Sequence, residues 1–84
     1  MENIIKHPLS TEKSIRLMES ENKLIFVVHN KAKNKEIKKA VEDVFKAKVI
    51  KVNSFVNTKG QKRAYVKFSE ETPAIDIATR LGLM

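Results

Sequence analysis

The sequence predicts an α+β fold, a small antiparallel β-sheet of three to four strands with packed helices. Three observations carry this. Lys23 to His29 holds an unbroken apolar stretch, with Leu24, Phe26 and Val28 pointing one way and Ile25 and Val27 the other. Ile37, Ala40, Val41, Val44 and Phe45 recur at helical spacing. Val49–Asn57 and Ala64–Phe68 are two strand-like runs on either side of a polar turn that contains Gly60.

Each element has its own signal. Residues 3–6 are apolar enough to add an edge strand. Ser10 and Thr11 follow His7-Pro8 and offer an N-cap, after which Thr11, Ser14, Ile15 and Met18 form a short, weakly apolar helical face. Lys23–His29 is apolar on both faces and reads as a central strand covered on both sides. Asn34 is the expected N-cap of the next helix, whose stripe of Ile37, Ala40, Val41, Val44 and Phe45 opposes Lys35, Lys38, Lys39 and Lys46. In the turn Thr58–Arg63, Gly60 supplies backbone freedom. Thr72-Pro73 opens a last short helix with Pro at its first position. Ala74, Ile77, Ala78 and Leu81 form its apolar face, and Gly82 ends it.

The 84 residues suit one domain, residues 1–84, of modest stability, since a chain this short buries only roughly 60% of its unfolded surface. A large cofactor cavity is not expected. There is no cysteine, which excludes disulfides, thiolate metal sites and cysteine nucleophiles. The longest apolar run, Leu24–Val28, is far too short to span a membrane, and the first residues have no secretory apolar core. The expected location is the cytoplasm, without membrane insertion. Catalytic groups are missing too. His7 precedes a proline and His29 ends a strand, neither with a helix-spaced His or Glu to share a metal. Two glycines cannot build a phosphate loop. No catalytic residue, metal or cofactor is expected, and the chain does not read as an enzyme.

Charge is the informative quantity. Formal net charge is +7, and it is concentrated. Between Lys31 and Lys67 there are 12 Lys or Arg and three acids; the rest of the chain has five bases and seven acids. A basic block of this kind is the footprint of a polyanion partner. Fourteen of the 17 bases are lysine, which suits phosphate contact more than bidentate reading of bases. The alternatives are a lysine-rich solvated surface and an anionic membrane surface, the latter lacking aromatic anchors on a basic helix.

Three features point to nucleic acid. Lys31, Lys33, Asn34, Lys35, Lys38 and Lys39 cluster at the start of the second helix, where backbone N–H groups and the helix dipole also favour phosphate. Lys59, Lys62 and Arg63 make the hairpin turn a flexible basic tip. Lys51, Asn53, Phe55 and Asn57 alternate along one strand, and Tyr65 and Lys67 along its partner. If those faces coincide, rings and amides sit among cations in a way that suits RNA. The opposing expectation puts Phe55 and Tyr65 in the core under a helix. Lys13 completes the set of candidate RNA-binding residues. Lys62–Phe68 partly resembles the first ribonucleoprotein motif of an RNA-recognition motif, without its glycine and second aromatic. This gives the alternative reading, a free-standing module that binds single-stranded RNA by stacking on Tyr65.

A broader resemblance covers nearly the whole chain. It rests on Ile5–Lys13, Leu24–Val28, Asn34–Phe45, Val49–Asn53 and Lys62–Val66 in that order and spacing. Together these stretches resemble the universal large-subunit ribosomal protein family numbered twenty-three (uL type). The resemblance implies a non-enzymatic protein bound to large-subunit ribosomal RNA beside the exit of the nascent-peptide tunnel, among neighbouring large-subunit proteins. It also implies a docking platform for the signal recognition particle and nascent-chain chaperones. Glu12 falls at the family's exposed acidic position, which contacts the chaperone trigger factor in bacterial members, and is carried over as a candidate docking residue. A Glu in a first turn is also favoured by the helix dipole alone. Bacterial members have a long hairpin extension toward the tunnel, whereas Asn57 to Ala64 leaves only a short turn. The resemblance is therefore to the archaeal type, for which neither a hairpin contact with nascent chains nor trigger factor is expected.

Overall fold

In the computed structural model residues 4–81 are described, and the chain runs β1 (Ile5–Pro8), α1 (Glu12–Glu21), β2 (Lys23–Val28), α2 (Asn34–Phe45), β3 (Val49–Val56), β4 (Lys62–Phe68) and α3 (Ala74–Arg80). The strands form one antiparallel sheet in the order β1-β2-β4-β3. The expected α+β architecture is therefore present, with four strands and three helices. The edge strand expected over residues 3–6 is found at Ile5–Pro8; Asn3 lies outside the described residues, as does the expected helix stop at Gly82.

Register divides the sheet into two faces. On one, Leu24, Val66 and Val52 lie in a row, followed by Phe26, Ala64 and Ser54. This face meets the helices: Ile37 and Val41 of α2, and Ala74, Ile77 and Ala78 of α3, join Leu24, Phe26, Val66 and Phe68 in the main core. Phe26 and Phe68 are the largest fully buried side chains. Burying one such ring stabilises the fold by about 1.5–3 kcal/mol.

α2 departs from its sequence pattern at one residue. Val44 was expected inward, yet it is 64% exposed. The last turn offers two adjacent apolar side chains, and Phe45 takes the inward position, stacked on Phe26 with ring centroids 5.6 Å apart. The N-cap also differs. Lys33 occupies it and Asn34 is the first helical residue, its side chain accepting a hydrogen bond from the Ser54 hydroxyl. Thr11 caps α1 as expected, its hydroxyl accepting from the Ser14 N–H while Ser14 Oγ accepts from the Thr11 N–H. Pro73 sits at the N-cap of α3, one position earlier than expected.

Candidate nucleic-acid interface

The other face of the sheet is where the strand pattern places chemistry. Lys23, Lys67 and Lys51 stand side by side on β2, β4 and β3; the next row is Ile25, Tyr65 and Asn53; the third is Val27, Arg63 and Phe55. None of the three helices' core residues lies on this side. Ile25 and Val27 are buried all the same, each 3% exposed. So β2 is central and buried throughout, but only one of its faces is covered by helices.

A bulge makes this face. Val49 pairs with Phe68 and Lys51 with Lys67, leaving Ile50 as an extra residue. In unbroken alternation Val49 and Lys51 would share a face. The bulge shifts the phase, so Val49 enters the core while Lys51, Asn53 and Phe55 turn outward. A similar shift between Ile5 and His7 sends Ile5 toward the core and sets His7 beside Val27.

The two alternating strands thus coincide as the RNA reading required. Phe55 and Tyr65 are not beneath a helix. Their rings stack at 5.1 Å between centroids with 28° between planes, and Phe55 is 50% exposed. Lys13, from α1 alongside β2, places its Nζ 5.5 Å from the Tyr65 centroid. Lys13, Lys51, Asn53, Arg63, Tyr65 and Lys67 therefore form one group.

A second group gathers at the end of the sheet where β2 stops and the β3–β4 hairpin turns. Asn57 leaves the strand pattern here. Its Oδ1 accepts the N–H groups of Lys59 and Gln61, both at 2.9 Å, and Gly60 takes φ +80°. Arg63 Nε donates to Gln61 Oε1 at 3.0 Å. Lys62 turns to the helix side and donates from Nζ to the Ala32 carbonyl at 2.6 Å, tying the hairpin to the loop before α2. That tie brings Lys59 to the same end as Lys31 and Lys33, all three exposed. Lys62 itself is separated from the open face.

Lys35, Lys38 and Lys39 are exposed on α2, on the opposite side of the sheet from Tyr65. The start of α2 is not an open phosphate cradle. Glu36 Oε1 accepts the Lys33 N–H at 2.9 Å, so a carboxylate already occupies the helix N-terminus. Among the described residues the ion pairs are Glu12–Arg16 at 2.9 Å and Glu21–Lys23 at 3.1 Å. Among the described residues no lysine of the central block lies within ion-pair distance of a carboxylate; Lys62 is held by the Ala32 carbonyl, and the others keep their charge available for phosphate. No His, Asp and Glu cluster among the described residues could hold a metal.

Comparison with known proteins decides the family. The family described as Ribosomal protein L23 matches residues 3–78. A Methanococcus vannielii protein, described as Large ribosomal subunit protein uL23, is 42% identical over 81 residues, covering 96% of this chain and 94% of that one. The chain belongs to the uL23 family. It is thus a large-subunit ribosomal protein, part of an assembly of ribosomal RNA and proteins, and not an enzyme. No described helix is long and apolar enough to cross a membrane.

Within this uL23-family chain the connection between β3 and β4 is residues 57–61, the short hairpin expected of the archaeal type. Sequence reasoning missed Lys23, which completes the lysine row, and His7 at its margin. Strand register alone places them there.

Proposed function

We propose that this chain binds large-subunit ribosomal RNA near the exit of the polypeptide tunnel, through the open sheet face and the hairpin end. The observation that carries the reading is the row Lys23–Lys67–Lys51 on the face away from the helix core, with Lys51 exposed, Lys67 half-buried and Lys23 paired to Glu21, continued by Lys13 and Arg63 on a rigid strand scaffold. Phosphate contacts from such a row release counterions and fix orientation, while the sheet fits RNA shape. Lys31, Lys33 and Lys59 extend the contact around the hairpin end, and Lys35, Lys38 and Lys39 provide a flank on α2. Family membership supports the location. Glu12, with its side chain 82% exposed, is the proposed docking residue for the signal recognition particle or a nascent-chain chaperone. Its pair with Arg16 presents a partly neutralised carboxylate, and a basic partner side chain would compete for it.

Sucrose-gradient sedimentation of cell extract at low and high salt, with the chain followed by immunoblot, tests the RNA reading. Stable co-migration with the large subunit is expected, with cross-linking from position 12 then capturing the docked factor. Migration in the light fractions at low salt would overturn the reading.

A further inference from the structure

Phe55 is an apolar ring left half in water among cations, where it adds nothing to phosphate contact. Its position is nevertheless well defined. It stacks on Tyr65, and Tyr65 is held from the β2 side by Lys13. One side of the Tyr65 ring therefore meets a cation and the other meets Phe55. The uncovered outer surface belongs to Phe55. β3 is the terminal strand, so no further strand blocks an approach from that side.

We propose that Phe55 is a stacking platform for one unpaired base of the bound ribosomal RNA. This rests on the RNA-binding reading of the same face. The neighbours supply what such a nucleotide needs. Arg63, directly opposite Phe55, is braced by Gln61 and reaches a flanking phosphate or stacks in its turn. Asn53, two residues away on the same face, offers an amide to a base edge or a 2′-hydroxyl. The Tyr65–Lys13 pair behind Phe55 fixes the ring before RNA arrives, so little freedom is lost on binding. A stack of this kind tolerates any base, because every base has a π-face.

The test is filter binding of the full chain to large-subunit ribosomal RNA across a salt series. Phe55→Leu is expected to weaken binding about 5- to 100-fold, the scale of one base–aromatic stack, with an unchanged salt slope because no charge is removed. Phe55→Trp is expected to restore wild-type affinity. Ultraviolet cross-linking of the wild-type complex reads the contact without a substitution, and a nucleotide adduct on the peptide holding Phe55 is expected. Binding by Phe55→Leu within twofold of wild type would overturn the proposal. Equal weakening by Leu and Trp, or adducts confined to other peptides, would do the same. Failure of the wild-type chain to bind this RNA would instead overturn the RNA-binding reading itself, and the stacking proposal with it.

Discussion

Asn22 closes α1 in the left-handed conformation, at φ 56°. Its Nδ2 donates to the carbonyls of Phe68, Ser69 and Thr72 at 3.0, 3.1 and 3.3 Å, and its Oδ1 accepts the Ala74 N–H at 2.6 Å. One amide thus joins α1, the end of β4 and the start of α3. Asn22→Gly keeps the left-handed backbone free of strain and removes all four bonds. Leaving those half-buried groups unpaired is expected to cost about 2 kcal/mol. In thermal unfolding that is a fall of roughly 8–16 °C in Tm for a chain of this size; a change under 2 °C would show that water replaces the amide. Lys46 presents the opposite case, also left-handed at φ 53° and exposed, its side chain making no hydrogen bond among the described residues. Lys46→Gly relieves that conformation and is expected to stabilise by about 0.5–1 kcal/mol, read as a higher urea midpoint. Neither role is legible in the sequence. A lone Asn after a helix signals a possible cap, but its long-range partners lie some 46 to 52 residues away.

Among the elements, periodicity revealed what each segment is, and register decided which way it faces. The stripe of α2 and the two-sided apolarity of β2 were readable because burial selects apolar side chains at fixed spacing. The bulge at Ile50 was not, because Ile50 is an ordinary strand residue and only pairing with β4 exposes the extra position. Consequently the candidate site was legible as a list of cations but not as a surface. Lys62 and Lys51 show the difference. Both are lysines of the same hairpin, yet Lys62 Nζ is bonded to the carbonyl of buried Ala32, while Lys51 is exposed on the open face. Lys62→Met removes a charged hydrogen bond that holds the hairpin to the α2 loop. It is expected to lower stability by about 1–2 kcal/mol in urea titration while leaving the salt slope of RNA binding unchanged. Lys51→Gln is expected to do the reverse, reducing that slope by about one with no change in urea midpoint. A slope that falls for both would place Lys62 on the RNA after all.

For the molecule as a whole, charge has a direction. The hairpin end carries Lys31, Lys33 and Lys59, whereas the opposite end of the sheet is bordered by Glu19, Glu21 and Glu70 around a groove lined also by Ile50 and Lys67. The hairpin end therefore draws a polyanion most strongly, while the glutamates offset part of the pull of the Lys23–Lys67–Lys51 row, which orients the chain before any close contact forms. The composition already held this asymmetry, since the central block is basic and the flanks are slightly acidic, but folding converts a sequence gradient into two poles. Folding also places Lys38 and Lys39 on the far side of the sheet from Lys51 and Lys67. RNA contacting both pairs must wrap around the hairpin end. Two double variants separate the possibilities: Lys51→Gln with Lys67→Gln, and Lys38→Glu with Lys39→Glu. All four side chains lie outside the core, so both proteins are expected to keep the wild-type fold by circular dichroism. If RNA wraps the end, the first pair reduces the salt slope by about two, and the second pair weakens binding as well as lowering the slope. Unchanged affinity in the second variant would confine the RNA to the open face and hairpin end. The α2 lysines would then face solvent or a neighbouring protein of the subunit.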